Sequence, residues 1–415
     1  MEWKEVRLGD VVEIVNGFAF KSKAFTLEGI PVIKIKNIKA GKVILNDLDY
    51  ISTSDINPKY TKIRSSDILI TMTGNRMDGS PETWVGKVSL FRHQGDFYLN
   101  QRVSALRLID DSVDNNFLSY YLSSWQSQLY FALNSNSSGG QANITPAVVQ
   151  EYRLMVPELE TQRSIASILS SLDRKIELNN KINDDLEEMA QAIFKNWFVD
   201  FEPFKDGKFV DSELGMIPEG WKVGRADDFY QINIGKTPPR KEHKWFSTNP
   251  ADKIWVSIAN MGNSGIFISD SSEYLTKEAV DSYNIIMVPR NTTLLSFKLT
   301  VGRVAIADKE LTTNEAIARF ILSDDKYMEY LYLYLKNFDY NSLGSTSSIA
   351  TAVNSKTIKG MQMLQPSDKI IDAFHIQVNP IFEKIRSLTK ENSRLSLLRD
   401  TLLPRLMSGE LEVPE

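Results

Sequence analysis

Residues 165–197 read IASILSSLDRKIELNNKINDDLEEMAQAIFKNW, and this stretch decides the architecture of the chain. Its non-polar side chains recur at alternating steps of four and three residues, which is the seven-residue period of a coiled-coil seam. The seam positions are Ile165, Leu169, Leu172, Ile176, Asn179, Asn183, Leu186, Ala190, Ile193 and Trp197. Because the period holds for about five heptads, it predicts a long helix that pairs with a second helix.

A second stretch near the C-terminus has the same period. Its seam positions are Phe374, Val378, Ile381, Ile385, Leu388, Asn392, Leu395, Arg399, Leu402 and Leu406. Asn183 and Asn392 are equivalent, and a polar seam residue fixes the register at some cost in stability. Pro404 lacks a backbone donor, so we expect this helix to kink or to end near Leu403. The alternative to a paired seam is that each helix packs only on its own domain.

The two helices belong to a longer internal repeat. Trp3, Asp10, Ile14 and Gly17 recur as Trp221, Asp228, Ile232 and Gly235, at one offset (221 − 3 = 218). Later matches are Val85-Gly86-Lys87-Val88 with Val301-Gly302-Arg303-Val304, and Asn100-Gln101-Arg102-Val103 with Asn314-Glu315-Ala316-Ile317. Near the helices Ile144, Met155 and Pro157 match Val353, Leu364 and Pro366 (353 − 144 = 209). Two diverged copies of one domain predict two similar binding surfaces that recognise different things.

Outside the helices, turn residues separate short runs rich in β-forming residues. This pattern is typical of mixed α+β domains, here of roughly 150 residues each. The predicted order is a first domain at residues 1–157, a central spacer helix at 158–200, a linker at 201–217, a second domain at 218–366, and a C-terminal spacer helix and tail at 367–415. Residues 116–133 are predicted to form one helix within the first domain.

Composition places the chain among ordinary globular proteins, with 42% hydrophobic and 24% charged residues in 415. It has no cysteine, which excludes disulfides and thiolate chemistry and leads us to expect a cytoplasmic protein. No apolar run is long enough to span a bilayer, and residues 1–5 lack the apolar core of a signal peptide, so we expect no membrane partner. The three histidines are far apart, so we expect no metal in this chain.

Charge is distributed unevenly along the chain, although the net charge is only −5. Residues 21–107 carry 14 Lys/Arg and 8 Asp/Glu, a balance of +6 (14 − 8). Residues 158–200 carry 5 against 9, a balance of −4 (5 − 9). The basic residues of the first domain fit a polyanion, whereas the acidic spacer helix does not, although ordinary solvated surface explains any single lysine equally well.

Motifs of catalysis are absent from the sequence. It contains no phosphate-binding loop of the G-x-x-x-x-G-K-[ST] type, which argues against ATP hydrolysis. It also lacks the Asn-Pro-Pro-aromatic tetrapeptide of amino-methyltransferases; the nearest string is Thr237-Pro238-Pro239-Arg240. No pair of carboxylates stands out as an acid/base couple. The chain is therefore predicted to be a binding protein and not an enzyme, with no cofactor of its own.

Basic and amide side chains between the strands are the candidates for recognition. Arg and Lys read guanine, and Asn and Gln read adenine, through paired hydrogen bonds to base edges. The candidates in the first domain are Lys21, Lys36, Asn37, Asn75, Arg76, Lys87, Gln101, Arg102 and Gln141. Those in the second are Lys236, Arg240, Lys241, Lys244, Asn260, Lys298, Arg303 and Asn314. For each of them an ordinary surface or structural role is the alternative.

The repeat separates these candidates into two groups. Asn37 and Asn260 each follow a strand, and Lys87 and Arg303 each follow the same Val-Gly. Positions shared by the copies are expected to grip phosphate or to serve the fold. The unshared segments 74–83 and 236–246 are expected to read bases instead, because each copy should recognise its own sequence.

Four motifs, in order along the chain, resemble the specificity subunit of type I restriction–modification systems. They are Trp3-Lys-Glu-Val-Arg-Leu-Gly-Asp; Pro157 with Gln162, Ile165 and Leu169; Ser212-Glu-Leu-Gly-Met-Ile-Pro-Glu-Gly-Trp-Lys; and Leu402-Leu-Pro-Arg-Leu-Met-Ser-Gly-Glu-Leu. The resemblance covers essentially the whole chain. It implies an α+β protein in which two target recognition domains are joined by two antiparallel coiled-coil helices, with a pseudo-two-fold axis.

The resemblance also implies a function that is divided among subunits. Each recognition domain would read one half of a bipartite sequence in double-stranded DNA. The helices would recruit two modification (methyltransferase) subunits, and restriction subunits would join that core. S-adenosylmethionine, ATP and Mg²⁺ would then belong to the partners. The alternative function is a non-catalytic scaffold whose repeated domains bind protein, peptide or glycan, and a nuclease with an unrecognised carboxylate cluster is a third. The motif residues are scaffold, so the resemblance assigns no base contact.

Overall fold

The computed structural model describes residues 3–77, 81–138, 140–343 and 353–413. The chain divides into two compact units, Met1–Ile176 with Arg394–Glu415, and Glu177–Ser393. Each unit combines one copy of the repeat with segments of both long helices. Among the described residues, no helix has both the length and the apolarity that crossing a membrane requires.

The first unit is built of short strands and helices. Its strands are Lys4–Arg7 (β1), Val12–Asn16 (β2), Phe25–Thr26 (β3), Ile30–Ile33 (β4), Ile38–Lys39 (β5), Lys42–Val43 (β6), Asp49–Ile51 (β7), Ile68–Thr71 (β8), Thr73–Gly74 (β9), Val88–Leu90 (β10), Tyr98–Leu99 (β11), Val103–Leu108 (β12), Asn136–Ser138 (β13), Gln141–Asn143 (β14) and Arg153–Val156 (β15). Its helices are Leu8–Val11 (α1), Asn115–Ser123 (α2), Trp125–Leu133 (α3), Pro146–Gln150 (α4) and the beginning of Leu159–Phe198 (α5).

The second unit repeats this plan. Its strands are Phe209–Ser212 (β16), Gly215–Pro218 (β17), Lys222–Arg225 (β18), Gln231–Ile234 (β19), Phe246–Ser247 (β20), Lys253–Val256 (β21), Phe267–Ile268 (β22), Tyr274–Leu275 (β23), Thr293–Ser296 (β24), Val304–Ala307 (β25), Thr312–Thr313 (β26), Ile317–Ile321 (β27) and Gln362–Gln365 (β28). Its helices are Ala226–Phe229 (α6), Ile258–Asn263 (α7), Lys277–Ser282 (α8), Met328–Asn337 (α9), Ser355–Lys359 (α10) and most of Asp368–Met407 (α11).

The sheets of the two units have equivalent connectivity. The antiparallel sheet β10-β8-β12-β2 of the first unit corresponds to strands β25-β24-β27-β19 of the second, where β22 adds a fifth strand parallel to β25. A parallel pair, β4 with β11, corresponds to β21 with β26. The first strand of each copy closes on the last, because β1 pairs with β15 and β18 pairs with β28. The internal repeat of the sequence is therefore a repeat of topology.

The two long helices pair in antiparallel fashion, as the coiled-coil pattern and the resemblance predicted. Within the second unit, Asn179 Nδ2 donates to Asn392 Oδ1 at 2.9 Å. The ring centroids of Phe198 and Phe374 lie 4.8 Å apart. The residue number therefore rises along α5 as it falls along α11. All the predicted seam positions of both helices are buried or half-buried, as a paired seam requires.

The polar contact in the seam does not join the two asparagines that are equivalent in the repeat. Asn183 is the repeat equivalent of Asn392, but the residue that meets Asn392 is Asn179, whose side chain is fully buried. Asn392 Nδ2 also donates to Asn180 Oδ1 at 2.8 Å. Sequence equivalence relates two positions by symmetry, whereas the seam contact depends on how far the antiparallel helices are offset, so the two need not coincide.

Two helices differ in extent from what the sequence predicted. α11 does not end near Leu403 but continues through Pro404 to Met407, and Leu406 and Met407 are buried in the core of the first unit. The single helix predicted at residues 116–133 is instead two, α2 and α3. Ser124 is extended between them, and its hydroxyl caps α3 by accepting from Ser127 N at 3.4 Å.

Candidate functional site

Each unit contains the same tight approach between the end of one strand and a neighbouring turn. Gly17 N donates to Val103 O at 3.1 Å, and Gly235 N donates to Ile317 O at 3.2 Å. A Cβ atom at Gly17 would lie 2.1 Å from Asn100 O, and one at Gly235 would lie 2.0 Å from Asn314 O. Both positions therefore need glycine for lack of space.

An asparagine anchors that turn in both units. The backbone N of Asn100 donates to Ile33 O, and that of Asn314 donates to Val256 O, both at 3.0 Å. The side-chain oxygen of Asn100 accepts from Arg102 N at 3.4 Å, and that of Asn314 accepts from Ala316 N at 3.1 Å. The side chain of Asn314 is half-buried, and its oxygen is engaged within its own turn. We call these turns the Asn-anchored turns, residues 100–102 and 314–316.

Polar side chains gather beside the Asn-anchored turn of the first unit. Arg102 Nη1 donates to Thr73 Oγ1 at 3.1 Å and to Asn143 Oδ1 at 3.4 Å. Thr73 and Asn143 are opposite each other in the β9–β14 ladder. Asn75 and Arg76 follow β9, Gln141 begins β14 and Gln101 precedes Arg102, so the ladder and this hydrogen bond place five predicted residues, all exposed, on neighbouring segments. Thr73 and Asn143 were missed from sequence, because nothing in their local pattern marks them as partners of Arg102.

The second unit places a different set beside its turn. Arg240 contacts both carboxylate oxygens of Glu273, at 2.5 and 3.1 Å. Its guanidinium also lies 4.3 Å from the ring centroid of Phe246 and 4.5 Å from that of Trp255. The side chain of Arg240 is therefore held in one orientation by an ion pair and two aromatic faces.

Glu315 occupies the position in this turn that Gln101 occupies in the first. Its carboxylate is exposed and accepts a hydrogen bond from the hydroxyl of Thr237. Desolvation favours the neutral acid, but the Thr237 hydrogen bond and the charges of Lys298 and Arg240 outweigh it and hold the pKa of Glu315 below its usual value. The carboxylate is therefore ionised. Glu315 was missed because only basic and amide residues were considered as readers.

Several predicted residues serve the fold instead. The side-chain oxygen of Asn37 accepts from Lys34 N at 3.0 Å, and that of Asn260 accepts from Ser257 N at 2.9 Å. Asn37 is 1% exposed. This shared pair caps equivalent helical turns, the 3-10 helix Ile35–Asn37 and the start of α7, which is the service to the fold expected as one role of shared positions.

The basic pair that follows each Val-Gly is also withdrawn from the surface. Lys87 is buried, and Arg303 is half-buried with Nη1 donating to Ile258 O at 2.7 Å. Both side chains are therefore less accessible than the exposed candidates. Lys36 is exposed, but its ammonium pairs with Asp47 at 2.9 Å and Asp49 at 3.2 Å, so it contributes little free charge.

The remaining predicted lysines are exposed. Lys21 lies between β2 and β3, and Lys241, Lys244 and Lys298 lie on the surface of the second unit. The ammonium of Lys244 lies 4.2 Å from the ring centroid of Trp245. Lys236 is exposed, and its ammonium donates to Tyr283 O at 3.2 Å. Of the unshared segment 74–83, residues 78–80 lie outside the described residues.

Burial of Lys87 leads to a prediction about stability. Desolvation, with Lys39 nearby, lowers the pKa of the Lys87 ammonium from 10.5 to about 8. Below pH 8 the folded protein therefore buries a charge, and this cost declines as pH rises from 8 to 10.5. Lys87→Met should raise the free energy of unfolding at pH 7 by about 2 kcal/mol. Urea denaturation should show this gain shrinking between pH 8 and 10. A gain that does not change with pH would contradict the assignment.

Comparison with known proteins gives the class of protein that these features define. Residues 1–188 and 218–375 match the family described as "Type I restriction modification DNA specificity domain". The chain belongs to this family, and it contains two recognition domains, one in each copy of the repeat.

Relatives of full length give the particular subunit. The specificity subunit of the type I restriction enzyme HindI from Haemophilus influenzae is 28% identical and aligns over 99% of this chain and all of its own length. That of MjaIX from Methanocaldococcus jannaschii is 28% identical, over 100% of this chain and 94% of its own. The crystal structure of a type I S subunit from M. genitalium has the same fold, with a TM-score of 0.57, 15% identity, and coverage of 100% and 97%. This chain is thus a non-catalytic type I specificity subunit.

Proposed function

We propose that this chain binds double-stranded DNA and recognises a bipartite sequence, one half through each domain. The observation that carries the proposal is the repeated Asn-anchored turn, which has one backbone arrangement and two different sets of exposed side chains. Sequence is read by side chains at base edges, whereas backbone contacts position the protein. The same backbone arrangement with two different sets of exposed side chains suits the recognition of two different half-sites.

The exposed side chains beside each turn are of the types that read bases. Arg102, Gln101, Asn75 and Gln141 offer a guanidinium and three amides in the first unit. Arg240, Lys298 and Glu315 offer two cations and a carboxylate in the second. These groups can distinguish base pairs in the major groove, where each pair presents its own donors and acceptors.

Partner subunits complete the proposed function. Two modification subunits would bind the paired helices, where residues 158–200 carry a balance of −4, and restriction subunits would join them. S-adenosylmethionine, ATP and Mg²⁺ would be held by those partners. Since the net charge of this chain is −5, the partners would also supply much of the phosphate contact that stabilises the complex.

A binding experiment tests the proposal. The full chain, co-purified with its modification subunits, is titrated against fluorescent duplexes of random sequence and of genomic fragments at several salt concentrations. Affinity should fall steeply with salt. Arg102→Gln should weaken binding to the preferred duplex about 5- to 100-fold. Arg225→Gln, an exposed arginine on β18 that pairs with Asp227, is the matched control. A protein that ignores DNA at low salt but retains peptide or glycan is the scaffold, and the proposal fails.

A further inference from the structure

We propose that the residue after the anchoring asparagine is the specificity-determining position of each domain, with Gln101 reading adenine and Glu315 reading cytosine. The inference rests on the proposed function, because it needs both domains to bind DNA. It goes further by naming one side chain and one base in each half.

The two side chains are presented in the same way. In each unit the glycine at the strand end packs on the carbonyl of the asparagine, at 2.1 Å and 2.0 Å from an imagined Cβ. The asparagine backbone is fixed to the end of the preceding parallel strand at 3.0 Å in both units. The next residue, Gln101 or Glu315, is exposed. The shared backbone arrangement therefore presents, at an equivalent place in both domains, one side chain that differs between the two copies.

The chemistry at this place differs between the copies. A glutamine amide has a donor and an acceptor, which match N7 and the N6 amino group of adenine. An ionised carboxylate only accepts, and the N4 amino group of cytosine is the donor that Glu recognises in the major groove. The same position therefore favours different base pairs in the two halves.

The surroundings of Glu315 support contact with a base and not with the DNA backbone. A carboxylate is repelled by phosphate, so its presence on a DNA-facing surface needs compensation. Lys298 and Arg240 provide compensating charge, and the Thr237 hydroxyl orients the carboxylate. Arg240 is itself held by Glu273 at 2.5 Å and by two aromatic rings. This arrangement keeps an acceptor ionised and fixed, which is what base discrimination requires.

The test exchanges the two chemistries. Glu315→Gln and Gln101→Glu are made separately in the full chain, which is co-purified with its modification subunits. Each complex selects from a library of fully randomised duplexes, and the bound DNA is sequenced. Glu315→Gln should change the preference at one position of one half-site from C·G to A·T, by about 5- to 100-fold, with the other half-site unchanged. Gln101→Glu should produce the reverse change in the opposite half-site.

Control variants separate the possible outcomes. Glu278→Gln and Gln126→Glu alter exposed side chains elsewhere and should leave the selected sequence unchanged. Glu315→Ala should abolish the preference at the same position, which provides a second measure for that site. If the exchanged variants bind with unaltered preference, or lose affinity equally for all sequences, position 101/315 does not read bases. If the parent complex enriches no sequence at all, the proposed DNA function fails instead.

Discussion

Replacing residues 1–157 with the corresponding segment of another specificity subunit should change one half of the bipartite target and leave the other half intact. The expectation follows from the fold of each domain. β1 pairs with β15, from Lys4↔Val156 to Arg7↔Arg153, so the exchanged segment closes its own ladder just before α5 begins at Leu159. Mapping methylated bases in cells that carry the exchanged subunit with its modification subunits measures the result.

The exchange has one structural requirement. The core of the first unit includes Ile165, Leu169, Leu406 and Met407, which come from the long helices and would not be exchanged. A donor must therefore present apolar side chains to them. The reciprocal exchange of residues 218–366 is the matched control and should alter the opposite half only. If either exchange alters both halves, or neither, while the complex stays active, recognition is not modular.

Asp308→Asn should reduce the free energy of unfolding by about 3 kcal/mol, because it removes the buried carboxylate of an ion pair and, among the described residues, leaves Arg386 only the exposed carboxylate of Glu383, 3.2 Å from its Nε. Arg386 Nη1 on α11 lies 2.9 Å from Asp308 Oδ1, and both side chains are 3% exposed. Burial already lowers the pKa of the Arg386 guanidinium, which shows how poorly its surroundings solvate the charge. Denaturation by urea, followed by circular dichroism, measures the loss.

Two variants test the cause of that loss. Asp227→Asn breaks an exposed ion pair with Arg225 at 2.8 Å and should leave the denaturation midpoint nearly unchanged. The double variant Asp308→Leu with Arg386→Met removes both buried charges and should recover most of the stability. If the double variant is no more stable than Asp308→Asn, packing of these side chains and not their charge explains the effect.

The pattern of residues along the sequence was sufficient to predict the paired helices and the two domains, because the spacing of apolar residues is a local property. The alternating four- and three-residue spacing of apolar residues from Ile165 to Trp197 predicts which face of the helix is buried, whatever that face packs against. The repeat likewise predicted two domains of one topology, since equivalent residues such as Gly17 and Gly235 keep equivalent strand ends close to a turn. The helix boundaries at Ser124 and Met407 lie where capping and core packing outweigh the local preference of the sequence.

The side chains of the candidate interface were harder to predict from the sequence, because contacts between distant segments decide which side chains are exposed. Asn37 and Arg102 look equally suitable as base readers in the sequence. The side-chain oxygen of Asn37 accepts a hydrogen bond from the backbone N of Lys34. Arg102, in contrast, is exposed at the surface beside Thr73 and Asn143. Glu315 became a candidate only when its alignment with Gln101 was joined to the cations around it.

The sequence by itself determined the class of subunit, the two recognition domains and the paired helices, because these depend on short-range patterns that repeat. The tertiary structure alone decided which polar side chains are free to bind. Lys87 and Arg303 each follow a Val-Gly pair in the sequence. Folding buries the side chain of Lys87, whereas Arg303 donates a hydrogen bond to Ile258 O. A polar group can satisfy its hydrogen bonds inside the protein or outside it, and only the positions of all its neighbours determine which occurs.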